Sequence, residues 1–166
     1  EVLRVFSDKV KDMKPSAIRE IFKSLSDPSM ISFAAGNPSP LSFPVEKMHN
    51  CAEEIFDNEA SFAFQYGITE GYPRLREQIR ERLLSRFNTG SSDDEVIITT
   101  GGQQGIDLCA KVLCNEGDTV ICENPSFIGA LNAFRSYNTN LVGIDLEEDG
   151  MNIEALENAL KQNPNT

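Results

Sequence analysis

The chain reads as an α/β protein with a mostly parallel sheet and flanking helices. Three observations carry that reading. From Glu95 onward, β-rich runs alternate with helical patterns, the order expected of βαβ units. The runs "EVIITT" and "TVICE" carry few charges, as strands covered on both faces do. Turn-forming stretches, "NEGD" and "EEDG", separate the elements.

Taken in order, residues 1–30 carry a helical pattern. Ser16 after Pro15 is a plausible N-cap, Ile18, Ile21, Phe22 and Leu25 recur at helical spacing, and Asp27-Pro28 stops the run. Met30 to Pro44 is a short apolar run and then a loop holding Gly36, Pro38, Pro40 and Pro44. Residues 45–59 read as a helix with Val45, Met48, Cys51, Ala52 and Ile55 along one side. From Phe64 to Phe87 a loop precedes a strong helix, where Leu75, Ile79, Leu83 and Phe87 form an i, i+4 stripe. Arg76, Glu77, Arg80 and Glu81 lie off that stripe and read as a solvated face of Glu–Arg pairs. Next come a strand over 95–100, a helix Gln103–Leu113, a strand over 119–123 and a helix Ser126–Tyr137. A strand over 141–146 and a helix Ile153–Gln162 complete the pattern.

Hydrophobic residues make up 40% of the 166, enough for a packed core. The formal net charge of −11 opposes general nucleic-acid or anionic-membrane binding, which needs a positive field. It leaves room for a small anion in one local pocket. Cys51, Cys109, Cys114 and Cys122 show no C-x-x-C spacing, and His49 is the sole histidine, so no metal site is assigned. His49 has no evident acid partner and receives no chemistry. Cys109 in a helical pattern and Cys122 in a strand pattern fit buried free thiols and a reducing, cytoplasmic setting. No apolar run reaches membrane-spanning length and no signal peptide is visible. The chain opens on Glu1 rather than Met, and "NPNT" follows a helix where a strand is due. We therefore expect a piece of a longer fold.

The stretch that points to chemistry is "ITTGGQQGIDL", Ile98 to Leu108. Here a β-rich run stops on Gly-Gly and a helix starts at once. The first N–H groups of a helix lack internal partners and sit at the positive end of its dipole, which suits a phosphate. Gly101 and Gly102 permit a sharp turn and close approach, and Gln103 or Gln104 could add a side-chain donor. The turn is neither a P-loop nor G-x-G-x-x-G. A plain strand–helix connection accounts for the same spacing.

"FAAGNPSPLSFP", "FQYGITEGYPRLREQI", "TTGGQQGIDL" and "VICENPSFIGAL", in that order, resemble the N-terminal part of fold-type I, pyridoxal-phosphate-dependent aminotransferases. The subgroup is the one containing kynurenine and 2-aminoadipate aminotransferases. The resemblance implies an α/β fold with an N-terminal arm and the start of a small domain in residues 1–60, and the first part of a large cofactor-binding domain in 61–166. It implies pyridoxal 5'-phosphate as cofactor, amino acid and 2-oxo acid substrates, ping-pong amino-group exchange and a homodimer. Carried over residue by residue, Gly101, Gly102 and Gln103 would bind the cofactor phosphate. Many relatives have Ser where Gly102 stands, which removes one hydroxyl donor. Phe127 would stack on the pyridine face, and without the family it reads as a core aromatic at a helix start. Tyr66 would reach the partner's cofactor phosphate across the dimer, although a tyrosine in such a loop is ordinary. Gly36 would approach the substrate carboxylate, and it also reads as a turn glycine before Pro38. Arg19 would lie on a mobile helix covering the substrate, and it also reads as a surface arginine beside Glu20.

The family's lysine, which bonds the cofactor aldehyde and relays the proton, has no counterpart among Lys9, Lys11, Lys14, Lys23, Lys47, Lys111 and Lys161. No residue is therefore assigned as catalytic, and the chain by itself is expected not to transaminate. Rival readings are an aminotransferase-like domain of a transcriptional regulator, another fold-type I enzyme such as a lyase or decarboxylase, or a doubly wound domain with an unrelated phosphorylated ligand.

Overall fold

The computed structural model describes residues 38–166. The calls on the helical pattern over 1–30, on Arg19 and on Gly36 lie outside the described residues. The chain divides into two compact units, one ending at Ile97 and the other running over Ile98–Thr166.

In the first unit, a single 3-10 turn at Pro40–Ser42 is capped by Ser39, whose Oγ accepts from Leu41 N at 3.3 Å. Helix α1 spans Val45–Asn58 and the short α2 spans Ala60–Ala63. Helix α3, Pro73–Phe87, opens on Pro73, where the missing N–H costs nothing and φ is already helical. It closes on Asn88 in the left-handed region, φ 49°, whose N–H bonds to Leu83 O. The ring pairs Phe56–Phe64 (centroids 5.8 Å apart) and Phe62–Tyr72 (5.6 Å) join α1, α2 and the loop that leads into α3.

Two expectations for this unit change. The basic residues of α3 form no Glu–Arg pair along the helix among the described residues. Instead Arg76 pairs with Glu95 Oε2 at 2.7 Å and donates from Nε to Val96 O. A pair on an exposed helix face gains little, whereas the guanidinium fork can serve a carboxylate and a carbonyl together. His49 does have an acid partner, Glu53 Oε1 at 3.3 Å one turn on, with both side chains exposed.

In the second unit, helix α4 spans Gly102–Leu113, strand β1 Thr119–Asn124 and helix α5 Ile128–Ser136. Strand β2 spans Asn140–Glu147, strand β3 Gly150–Met151 and helix α6 Ile153–Gln162. β1 and β2 run parallel, from Thr119 opposite Asn140 to Asn124 opposite Asp145, with α5 as the crossover. β2 turns back into β3 as a short antiparallel hairpin, Leu146 opposite Met151. The sequence pattern read this turn and missed its second strand, which is two residues long. The run 95–100, expected as a strand, has no ladder partner among the described residues. A β-prone sequence becomes a strand only where a neighbour accepts its N–H groups.

The core of this unit is small. Ala110 of α4, Ala133 of α5, Ile144 of β2 and Ala159 of α6 are its buried hydrophobic residues. Alanine at these points lets the helices approach closely. At the N-terminal ends of the strands, polar groups close the loops. Gly117 N donates to Asn138 O (3.0 Å), Asn140 Nδ2 to Gly117 O (2.8 Å) and Thr119 N to Asn165 O (2.9 Å). The opposite end, where the strands finish, is built differently.

Candidate functional site

Gly101 sits just before α4 with φ 81° and ψ 166°, a conformation that only glycine adopts readily. It has no side-chain cap, so the opening N–H groups of α4 have no internal partner. Among the described residues, a Cβ built at Gly101 or Gly102 meets nothing within 4 Å. Among these residues nothing covers the Gly101 and Gly102 side of the helix start.

The two glutamines are both engaged. Gln104 Oε1 accepts from Thr100 N and braces the turn. Gln103 Nε2 donates to Gly129 O at 3.0 Å and ties the start of α4 to the start of α5. The Gln103 side-chain amide is therefore held by Gly129 and that of Gln104 is engaged through its oxygen, while the main-chain N–H groups at the helix start remain as donors.

Phe127 is the residue before α5, with φ −65° and ψ 117°. It is 63% exposed rather than a core aromatic. Its ring lies beside Gln103: the position a Cβ on Gly129 would take is 2.5 Å from Gln103 Oε1 and 2.6 Å from Phe127 Cε1 and Cζ. The structure thus brings Gly101, Gly102, Gln103 and Phe127 together at one end of the sheet. The segment into Phe127 is anchored by Asn124 Nδ2, which donates to Asp145 Oδ1 at 2.8 Å across β1 and β2. A groove between α4 and α5 continues from this end, lined by Thr100, Gln103, Gln104, Asp107, Asn132 and Ser136. Farther along, Tyr137 Oη bonds to Asp107 Oδ2 at 3.3 Å. Burial and the adjacent Asp107 carboxylate push the phenol above its ordinary range.

Tyr66 belongs to the other unit, in the loop before α3, and its side chain is fully exposed. Lys111 lies in the last turn of α4, at the far end from Gly102. Lys161 pairs with Glu157 at 3.6 Å on α6. The cysteines are all unbridged, as read, but Cys109 is exposed and Cys122 half-buried, so neither is the buried thiol expected. Among the described residues no cluster has metal-binding composition, and no helix is long and apolar enough to cross a membrane. Sequence reasoning missed Gly129 and Asp145. The signal for Gly129 was a glycine in the first turn of a helix, where Ala is the better helix former.

Comparison with known proteins identifies the family of the chain. Residues 28–166 match the family "Aminotransferase class I and II". The chain is 37% identical over 159 residues to aromatic-amino-acid aminotransferase 1 of Thermococcus litoralis, covering 96% of this chain and 38% of that protein. It is 39% identical over 150 residues to 2-aminoadipate transaminase of Thermus thermophilus, covering 90% and 36%. Among solved structures, the kynurenine aminotransferase of Pyrococcus horikoshii in complex with PMP, kynurenine and its product superposes with a TM-score of 0.87 at 39% identity. That match covers 96% of this chain and 39% of that one. The chain belongs to the class I and II aminotransferase family. It spans less than two fifths of the length of these relatives.

Proposed function

We propose that the chain is the N-terminal part of a pyridoxal-phosphate-dependent aminotransferase and supplies the phosphate end of the cofactor site. One observation carries the reading: the uncapped start of α4 and the exposed Phe127 ring stand side by side at the C-terminal edge of the parallel strands, the edge where open α/β folds bind ligands. The N–H groups of Gly102 and Gln103 would donate to the phosphate, helped by the helix dipole. The Phe127 face would cover the pyridine ring, supplying stacking but no phenol hydrogen bond. When bound, the cofactor supplies an electron sink for the substrate α-carbon. The protein's part at this end is to fix the group and its ring plane.

The same reading assigns Tyr66 to the cofactor phosphate of a partner protomer in a homodimer, and Gly36 and Arg19 to the substrate. It places residues 1–60 in the arm and small domain and 61–166 in the large domain. The exposed phenol of Tyr66 supports its assignment. Substrates would be an amino acid and a 2-oxo acid, in the cytoplasm, without nucleic acid. Unbridged cysteines and the net charge of −11 support those last two points.

The test is a titration of the complete polypeptide with pyridoxal phosphate, followed by absorbance, with inorganic phosphate as competitor. Saturable binding that phosphate competes away is expected. Gly102→Ser places a hydroxyl where the structure is open, and should tighten binding about tenfold, as one hydrogen bond to a charged group would. A protein that binds neither pyridoxal phosphate nor phosphate refutes the proposal.

A further inference from the structure

We propose that Gly129 is a positioning residue for this site: its missing Cβ lets the Phe127 ring fold back against the first turn of α5 and meet the Gln103 side chain. The inference rests on the cofactor reading above and adds the device that sets the ring plane.

The argument starts from what a side chain at 129 would do. A Cβ there would stand 2.5 Å from Gln103 Oε1 and 2.6 Å from both Phe127 Cε1 and Cζ, closer than atoms can remain. The backbone gives no reason for glycine. Gly129 is not among the glycines with positive φ, and alanine is favoured over glycine in a helix. What glycine provides here is space. The same residue also supplies the carbonyl that accepts from Gln103 Nε2 at 3.0 Å. Gly129 therefore holds Gln103 through its oxygen and admits Phe127 through its missing side chain. The two helix starts become one platform, with open main-chain donors on α4 and an aromatic face at the head of α5.

The atoms that an added Cβ would strike are side-chain ends, not backbone. Gly129→Ala should therefore fold, and the ring and the amide should be what moves. This separates a positioning role from a structural one. A glycine that served only the helix would, on becoming alanine, leave the site alone.

The experiment uses the complete polypeptide. Gly129→Ala is expected to keep or raise the thermal midpoint while pyridoxal phosphate binds about tenfold more weakly and the circular dichroism of the bound chromophore changes. Affinity for inorganic phosphate should change less than twofold, because the α4 donors stay in place. In a Phe127→Ala background, where no ring remains to displace, the added methyl should alter pyridoxal phosphate affinity less than twofold. Unchanged affinity and dichroism in Gly129→Ala, or a tenfold loss that persists without the ring, overturns the inference while the cofactor reading stands. A wild-type protein that fails to bind pyridoxal phosphate overturns both.

Discussion

At Gly101 the backbone adopts φ 81°, and at Gly129 it does not, yet both positions exclude a side chain. Conformation dictates the first glycine and crowding the second, and only the first kind shows in a sequence as a turn signal. Gly101-Gly102 was legible because it separates a β-rich run from a helical one. Phe127 was legible as an aromatic at a helix start, but its 63% exposure was not, because burial depends on what the rest of the fold brings near. Tyr137 also acquires its chemistry from the fold. Burial and the Asp107 carboxylate raise its pKa, so the folded state keeps the proton to higher pH than the unfolded state. The phenol's contribution is complete below the unfolded value, near 10, and is lost as pH rises through the folded value. Urea melts should show wild-type stability falling more steeply than that of Tyr137→Phe from about pH 9 to about pH 11. Parallel curves would show that the surroundings of Tyr137 do not raise its pKa on folding.

Helix boundaries followed from local chemistry wherever a cap was present. Ile153–Gln162 was expected and is observed, because Asn152 caps it through Ala155 N at 2.7 Å, with Glu154 at its start and Lys161 at its end. Asn152→Ala should cost about 1 kcal/mol, read as a lower urea midpoint. A change of less than about 0.3 kcal/mol would mean that packing against β2, not the cap, holds the helix. At α5, which has no side-chain cap, the boundary shifted: it begins at Ile128 rather than Ser126, since Phe127 stays extended. The run 95–100 has strong β character and no ladder. Its neighbour contact is a side chain instead, Arg76, twenty residues away from Val96 in the chain, a distance that no local pattern encodes.

Over the whole molecule, the described residues bury four hydrophobic side chains and expose many large ones, among them Phe62, Phe64, Ile97, Val112, Leu113 and Phe127. Large apolar side chains left exposed in each unit are available to pack against further protein or ligand. Together with a chain that spans about 38% of a relative's length, it supports an activity that belongs to the complete polypeptide. The 166 residues purified alone, given pyridoxal phosphate, an amino acid and a 2-oxo acid, should yield no 2-oxo product above background. Turnover by that polypeptide would mean that one of its own lysines serves as the family's lysine does.

The sequence by itself determined the alternation of elements from Glu95 onward, the glycine turn and the order of the four family-like blocks. Each of these is written in near-neighbour spacing: periodicity, turn residues and caps act within a few residues. Tertiary structure decided the rest. It joined Gln103 to Gly129 and Asn124 to Asp145, moved Arg76 from a solvated face to Glu95, and left Phe127 exposed beside an open helix start. These contacts join residues about twenty or more positions apart, and their partners are chosen by strand register and helix docking, which no local run of the chain specifies.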